Sequence, residues 1–234
     1  MQDYLTENYL ELHDADRAVI AHHSAYMRNL PADGIDESLE FGGGPNLYPL
    51  MLVAAAARRV HVVERSSANV RYLKRQLTDG AAASWEPFWT LCREYNPMLP
   101  ADLGQALSRV AVTCGDATGV DQGRYGLASM NFVAEGATGV PEEFAAICAA
   151  FVGSVRPGGH LIASFMENMG SYSIGGGRRW PACPVDSVTL RDVFAPHTQE
   201  LRIERIDADP TLPDWGYTGM LLLSGRRKTD GGRG

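Results

Sequence analysis

The feature of this sequence that most constrains its fold is a glycine run between an extended apolar segment and a helical one. Residues 38–41 have the composition of a short buried strand, glycines occupy positions 42–44, and the apolar, alanine-rich residues 50–57 are typical of a helix. Glycines at a strand-to-helix turn allow positive φ angles and let a ligand approach main-chain N–H groups closely. The run therefore predicts a strand–turn–helix unit with a ligand at the turn.

A second strand-like segment, residues 60–63, ends in Glu64. An acidic side chain about twenty residues after the glycines is placed to accept hydrogen bonds from ribose hydroxyl groups. Together, the glycine turn and Glu64 predict a site for a nucleotide-type cofactor. The dinucleotide fingerprint needs a third glycine, and Leu47 occupies its place, which disfavours a dinucleotide but leaves it open.

Strand-like and helical segments alternate along the rest of the chain. Further strands are predicted at residues 110–114, 127–133, 160–165, 201–206 and 218–224. This rhythm predicts an α/β fold, with a mostly parallel seven-stranded sheet and helices on both faces. Ligands of such sheets bind beyond the carboxyl ends of the strands. The residues at those ends are the glycines at 42–44, Glu64, Asp116, and residues 131–135 and 165–168.

Other segments lie outside this alternation. Residues 1–30 are predicted to be helical and either shield one side of the sheet or act as a lid. Residues 81–107 predict one or two short inserted helices. Residues 156–159 (Arg-Pro-Gly-Gly) predict a tight turn, and residues 172–184 a polar, aromatic loop.

Length and charge limit the possible functions. The 234 residues predict a single domain over residues 1–225, with a disordered, charged tail at 226–234. A formal net charge of -7 argues against nucleic acid as a partner. No apolar run reaches the roughly 20 residues of a membrane span. The four cysteines lack C-x-x-C spacing, so we expect no metal and a cytoplasmic location.

Five short motifs are spread over the chain: D-Y-L-T-E-N-Y from Asp3, G-G-G-P-N-L-Y from Gly42, V-V-E-R-S-S-A-N from Val62, W-E-P from Trp85, and R-P-G-G from Arg156. In residues and spacing they resemble the nicotinamide, phenylethanolamine and thioether methyltransferase family of S-adenosylmethionine (SAM)-dependent enzymes. The resemblance covers nearly the whole chain. It implies the Rossmann-like class I methyltransferase fold with an N-terminal helical lid, SAM as cofactor, and S-adenosylhomocysteine (SAH) as product.

The resemblance also implies which residues bind the cofactor. Tyrosines of the N-terminal segment would close over it, the glycine turn would line its methionine end, and Glu64 would bind the ribose. Asn69 would also reach the ribose, and Asp116 with Ala117 would recognise the adenine. The full set is Tyr4, Tyr9, Gly42, Gly43, Gly44, Asn46, Tyr48, Glu64, Asn69, Asp116, Ala117 and Asn131.

The substrate side departs from the relatives. Nicotinamide-methylating members carry an aspartate at the end of the fifth strand, where this chain has Phe165, with Glu167 two places on. Phe165 argues against nicotinamide and predicts a flat or apolar substrate that stacks in the pocket. The candidate substrate-binding residues are Phe132, Glu135, Phe165 and Tyr172. The candidate bases are Glu135, Glu167 and His22.

These observations predict a SAM-dependent methyltransferase for a small molecule. We expect nitrogen of an amine or heterocycle as the acceptor, in secondary metabolism, and a monomer or weak homodimer. Methylation of sulfur or carbon is the alternative within this class. An NAD-dependent oxidoreductase and a non-catalytic SAM-binding protein are the alternatives from other classes.

Overall fold

The computed structural model describes residues 2–174, 177 and 179–229, and its centre is a seven-stranded sheet. The strands are β1 (Ser38–Phe41), β2 (Val60–Glu64), β3 (Val110–Cys114), β4 (Tyr125–Asn131), β5 (Val155–Glu167), the separate hairpin β6 (Ser171–Ser173) and β7 (Arg179–Pro181), β8 (Thr198–Asp207) and β9 (Gly219–Arg227). The sheet order is β3-β2-β1-β4-β5-β9-β8. Strands β1 to β5 are parallel, and β9 is antiparallel to both of its neighbours. The predicted mostly parallel sheet is confirmed.

Helices cover both faces of this sheet. They are α1 (Gln2–Tyr9), α2 (Asp14–Met27), α3 (Tyr48–Val53), α4 (Ser67–Thr78), α5 (Glu86–Tyr95), α6 (Leu103–Leu107), α7 (Ala134–Ala137), α8 (Pro141–Ser154) and α9 (Ser187–Phe194). Ser66 caps α4 by accepting a hydrogen bond from the main-chain N–H of Asn69. Pro141 is the first residue of α8, where a main-chain N–H would have no acceptor within the helix, so its absence costs no hydrogen bond.

Two apolar cores lie on opposite faces because strand side chains alternate. Leu39 and Phe41 of β1 pack with α8 and α9, whereas Val60 and Val62 of β2 pack with helices α2 to α6. Glu40 lies between Leu39 and Phe41 and so points to the opposite face from theirs. The phase of each strand therefore decides which side chains enter a core.

The two helices of the N-terminal segment differ in position: α2 covers the sheet, and α1 lies beside the main cavity. Val19, Ile20 and Met27 of α2 are buried in the core formed with α3 and α5, so this helix shields the sheet. Helix α1 lies at the rim of the main cavity, where Tyr4 and Tyr9 line the wall. Closure of α1 over a ligand stays a prediction.

Three predicted boundaries are wrong. Residues 156–159 are not a turn between elements: they form an irregularity within β5, where the register shifts opposite residues 125–127. The predicted loop at 172–184 contains the β6–β7 hairpin, in which Tyr172 pairs with Trp180. Strand β9 includes Arg226 and Arg227, which were assigned to the tail; residues 230–234 of that tail lie outside the described residues.

Candidate cofactor and substrate site

A cavity of about 710 Å³ opens at the carboxyl ends of the parallel strands. Each of the first five strands contributes to its wall, either with its last residues or with those that follow. These residues are Gly42 and Gly44 after β1, Glu64 of β2, Asp116 and Ala117 after β3, Phe132 after β4, and Met166 of β5. This is the edge at which the sequence predicted a ligand.

The glycine turn forms the floor of one end of the cavity. Gly42 has φ +73° and Gly44 has φ +55°, angles that residues with side chains rarely adopt. A Cβ on Gly42 would also lie 2.7 Å from Val133, whereas one on Gly44 would meet nothing within 4 Å. Gly43 was predicted to bind cofactor, but it does not line the cavity because it packs against Val62. Gly44 thus leaves open space in which a ligand can approach the main chain.

Glu64 is a buried carboxylate fixed by three donors at the cavity wall. Its Oε2 accepts a hydrogen bond from Gly44 N at 2.9 Å. Its Oε1 accepts one from Ser66 N at 2.6 Å and a longer one from Asn69 Nδ2 at 3.4 Å. Both Glu64 and Asn69 line the cavity. The glycine turn and the start of α4 therefore hold this carboxylate in a single orientation.

Asp116 and Ala117 continue the wall after β3, as the sequence predicted. Asp116 Oδ1 accepts hydrogen bonds from the Thr118 N–H at 2.9 Å and from its hydroxyl at 2.7 Å. These bonds hold the pKa of Asp116 below its ordinary value. The carboxylate therefore stays ionised at the cavity rim near neutral pH.

Two tyrosines of α1, the buried Tyr9 and the partly buried Tyr4, form another part of the wall. The ring centroids of Tyr4 and Tyr9 lie 5.8 Å apart in an edge-to-face arrangement. Asn46 Nδ2 donates to the Tyr9 hydroxyl at 2.9 Å, which ties α1 to the glycine turn. Asn46 and Tyr48, both predicted to bind cofactor, do not line the cavity. Asn46 instead holds Tyr9, and Tyr48 stacks on Phe88 in the core.

Asn131 and His22 were predicted site residues, and the structure places both in a polar network away from the cavity wall. Asn131 Nδ2 donates to Glu40 Oε1 at 3.2 Å, and its Oδ1 lies 3.0 Å from His23 Nε2. The Nδ1 atoms of His22 and His23 are 2.9 Å apart. Burial lowers the pKa of His23 to about 3, so that ring is neutral near neutral pH.

The substitution Glu40→Gln is expected to make the free energy of unfolding less dependent on pH. Burial raises the pKa of Glu40 to about 8, from an ordinary value of 4.5, so the folded chain keeps a proton that the unfolded chain releases. Between these two values, rising pH favours unfolding, by up to about 1.4 kcal/mol per pH unit for this group. The free energy of unfolding, measured by urea denaturation at several pH values in that range, should fall less steeply with pH in Glu40→Gln than in wild type. The exposed Glu94→Gln, on α5, serves as control, and an equal dependence on pH in Glu40→Gln and wild type would contradict the expectation.

The far end of the cavity is apolar and aromatic. Phe132 has φ +57°, a strained conformation that persists where surrounding structure fixes it, and its ring lines the wall. The Tyr172 hydroxyl donates to Gly136 O at 3.1 Å, and its ring centroid lies 5.9 Å from that of Trp215. Phe132 and Tyr172 are thus placed where a substrate was predicted. The methionines of this end are Met166, Met169 and Met220.

Three other substrate-side predictions are wrong in position. Glu135 is fully buried beneath the wall: its Oε1 accepts from Met166 N at 2.8 Å, and burial raises its pKa to about 7. Glu167 pairs with Arg205 Nε at 2.8 Å and does not line the cavity. Phe165 is fully buried in the core. None of the three side chains reaches the space where a substrate would lie.

Several lining residues were not predicted from the sequence. Asp16 lies in the first turn of α2, and Arg65 follows Glu64 directly. Trp215 lies between β8 and β9, far along the chain from the lining residues that β1 to β4 contribute. Arg65 could have been predicted to line the cavity because it is next to Glu64 in the sequence. No local motif indicates that Asp16 or Trp215 would do so.

Two features are absent from residues 2–174, 177 and 179–229. In this part of the chain, no helix has the length and apolar character needed to cross a bilayer. No group of three or more His, Cys, Asp or Glu side chains in it is arranged to hold a metal ion. The expectations of no metal and no membrane partner stay predictions.

Comparison with known proteins shows the fold. No family model and no curated protein matches the sequence. The N-methyltransferase NodS from Bradyrhizobium japonicum WM9, solved with SAH, matches with a TM-score of 0.60 at 13% identity, over 96% of this chain and 90% of that one. The Burkholderia thailandensis 1,6-didemethyltoxoflavin-N1-methyltransferase, solved with its namesake ligand and SAH, gives 0.58 at 18%, over 97% and 82%.

A third match widens the range of chemistry found on this fold. The [4+2]-cyclase SpnF gives a TM-score of 0.57 at 14% identity, over 89% of this chain and 81% of that one. At these identities the matches establish architecture. The chain therefore has the Rossmann-like fold of class I SAM-dependent methyltransferases, and its chemistry has to be argued from its own residues.

Proposed function

We propose that this chain is a SAM-dependent methyltransferase that transfers a methyl group to nitrogen of a small amine or heterocycle. The proposal includes membership of the nicotinamide, phenylethanolamine and thioether methyltransferase family, which the sequence motifs resemble. The observation that carries it is the carboxylate of Glu64, buried and fixed by Gly44 and Ser66 at the wall of a cavity. That arrangement is suited to bind the ribose of a nucleoside cofactor.

The residues around Glu64 fit SAM in shape and hydrogen bonding. A carboxylate offers about four acceptor directions, and Gly44, Ser66 and Asn69 use three of them, so capacity remains for a ribose hydroxyl. The open space above Gly44 leaves room for the amino-acid end of the cofactor beside main-chain groups. Asp116, which follows the next strand, would accept a hydrogen bond from an adenine amino group.

The charge of the cavity favours a cationic cofactor over a dinucleotide. Its lining contains the carboxyl groups of Asp16, Glu64, Asp116 and Glu143, and the guanidinium of Arg65. An excess of carboxylates attracts a sulfonium cation and repels the pyrophosphate of a dinucleotide. This balance supports SAM and argues against the NAD-dependent alternative.

The protein's part in the reaction is to position the acceptor and to exclude water. SAM, when bound, supplies a methyl group on a sulfonium that a nucleophile can displace. Phe132, Tyr172 and Trp215 form an apolar wall that orients a flat acceptor. Tyr4 and Tyr9 of α1 cover the other side; burial raises the pKa of Tyr4 to about 12, so it remains a neutral phenol. Holding the acceptor in line with the methyl group in this way corresponds to an effective molarity on the order of 10⁵ M or more, compared with the same reactants free in solution.

The remaining parts of the proposal concern the setting of the enzyme. We place it in the cytoplasm, as a monomer or weak homodimer that acts in secondary metabolism on a small molecule rather than on nucleic acid. The formal net charge of -7 and a cavity of about 710 Å³, sized for a cofactor with a small acceptor, support this view.

Calorimetric titration of the purified protein with SAM, SAH and NADH tests the cofactor. SAM and SAH are expected to bind in the micromolar range and NADH is not, because the glycine turn lacks a seat for pyrophosphate. Tight NADH binding without SAM binding would overturn the proposal.

Incubation with methyl-labelled SAM and a panel of amines and azaheterocycles, read by mass spectrometry, then tests methyl transfer. SAH binding without transfer to any compound would favour the non-catalytic alternative.

A further inference from the structure

Asp16 is a buried carboxylate on the cavity wall that no sequence motif indicates. It lies in the first turn of α2, is 8% exposed, and lines the cavity together with Ala15. Its Oδ2 accepts a hydrogen bond from His13 N at 3.2 Å. Within the described residues, no Lys, Arg or His side chain forms an ion pair with it. A carboxylate that has lost most of its hydration without gaining a cation is suited to bind one.

The other carboxyl groups on the wall are already engaged by neighbouring groups of the protein. Glu64 is held by the glycine turn and by α4, and Asp116 is held by Thr118. Glu143 accepts a hydrogen bond from the Thr138 hydroxyl and is exposed. Asp16 differs from all three because, among the described residues, a main-chain N–H is its one hydrogen-bond donor, and its neighbour Ala15 packs against the methionines of the apolar end.

The surroundings of Asp16 suit an apolar amine. Its neighbour Ala15 belongs to a cluster with Met166, Met169 and Met220, against which aromatic rings pack. The rings of this cluster that line the cavity are Phe132, Tyr172 and Trp215. Aromatic faces and thioethers attract a cation and its apolar substituents, and the carboxylate gives the charge a direction. The arrangement combines a flat apolar surface with one negative charge.

We propose that Asp16 selects a protonated amine as the methyl acceptor, by pairing with its ammonium group and then taking its proton. The inference rests on the proposed function and narrows it to an aliphatic amine attached to an apolar or aromatic group. One N–H bond of the ammonium breaks, the proton joins a carboxylate oxygen of Asp16, and the bonding electron pair stays on nitrogen as a lone pair. The products are a neutral amine and a neutral carboxyl group, and the amine is then a competent nucleophile.

The ionisation of Asp16 gives the proposal a pH dependence. Burial raises its pKa to about 7, with a further rise from Asp209, which accepts from Ala15 N. The other titratable groups that face it are the phenols of Tyr4, Tyr9 and Tyr48, whose pKa values burial raises, so that they stay neutral. Asp16 is therefore ionised above about pH 7 and neutral below it, and preference for an amine should increase as pH rises through that value.

The test compares amines with alcohols of the same shape. Phenethylamine and tryptamine are titrated against phenethyl alcohol and tryptophol at about pH 8 and about pH 6, with and without saturating SAH. Wild type is expected to bind at least one amine about tenfold or more tightly than its alcohol at the higher pH, since a charge-assisted hydrogen bond is lost in the alcohol. Asp16→Asn, which keeps the acceptor for His13 N–H, should abolish this preference.

Asp14→Asn is the matched control, because Asp14 lies in the same turn with its side chain 93% exposed. It should retain the preference, and both variants should bind SAH as wild type does. The inference fails if no amine is preferred by wild type, or if the preference survives in Asp16→Asn. A loss of SAH affinity in Asp16→Asn with an unchanged amine preference would also overturn it. Failure of wild type to bind SAH would instead contradict the proposed function, and the titrations without SAH would still decide the role of Asp16.

Discussion

Glu64→Ala is expected to weaken SAH binding by roughly tenfold to a hundredfold. The carboxylate would accept a hydrogen bond from a ribose hydroxyl, and a bond to a charged group contributes about 1.5–3 kcal/mol. The substitution also releases Gly44 N and Ser66 N, which the carboxylate holds at 2.9 and 2.6 Å, so the shape of the turn is lost with the contact. Calorimetric titration of SAH into wild type and variant measures the change directly.

Two further variants separate these contributions. Glu64→Gln keeps one acceptor oxygen but presents an amide N–H₂ toward main-chain donors, so we expect a loss close to that of Glu64→Ala. Glu94→Ala removes an exposed glutamate from α5 and should leave the affinity unchanged. If folded Glu64→Ala bound SAH with wild-type affinity, Glu64 would not bind the ribose, and the proposed function would lose its main support.

The part of the site predicted from the sequence is the part encoded locally. Gly42, Gly44 and Glu64 lie within one strand–turn–helix–strand unit, and Asn69 lies in the first turn of the helix that follows, so local backbone geometry places them together. Asp116 was predicted by the same reasoning, because it directly follows the end of the next parallel strand in the turn beyond it. Alternation of strands and helices predicted the sheet for a similar reason: each βαβ crossover has one favoured hand. Short-range spacing therefore carried most of the fold and the cofactor end.

The substrate end was harder to predict because it depends on strand phase and on distant loops. A shift of one residue along a strand moves a side chain to the other face of the sheet. Phe165 was predicted to face the substrate, but its neighbour Met166 lines the cavity and Phe165 enters the core. Similarly, Asn131 joins a polar network while Phe132, one residue on, reaches the cavity.

Long-range pairing explains the other errors. Glu167 is a plausible free carboxylate in the sequence, but its partner Arg205 lies on β8, which only the sheet order brings close. Asp16 was overlooked for the converse reason. Its burial depends on α1, on α3 and on the loop that carries Asp209, and none of these contacts is visible in the residues around it.

Phe165→Ala is expected to lower the free energy of unfolding by about 3–5 kcal/mol, the usual cost of removing a buried aromatic ring. The ring is fully buried, with its centroid 6.2 Å from that of Phe144 and 5.9 Å from that of Phe194. Urea denaturation measures the change. Phe165→Leu, which keeps most of the apolar volume, should remain folded and bind both SAH and acceptor as wild type does.

Phe132→Ala is the matched variant, since both phenylalanines were predicted to contact substrate and the structure separates them. Phe132 is partly buried on the cavity wall, so its loss should cost less stability than that of Phe165 and weaken acceptor binding more. A folded Phe165→Leu protein that binds SAH normally but has lost its acceptor would return Phe165 to the substrate site. The opposite pattern would establish that strand phase assigns one ring to the core and the other to the pocket.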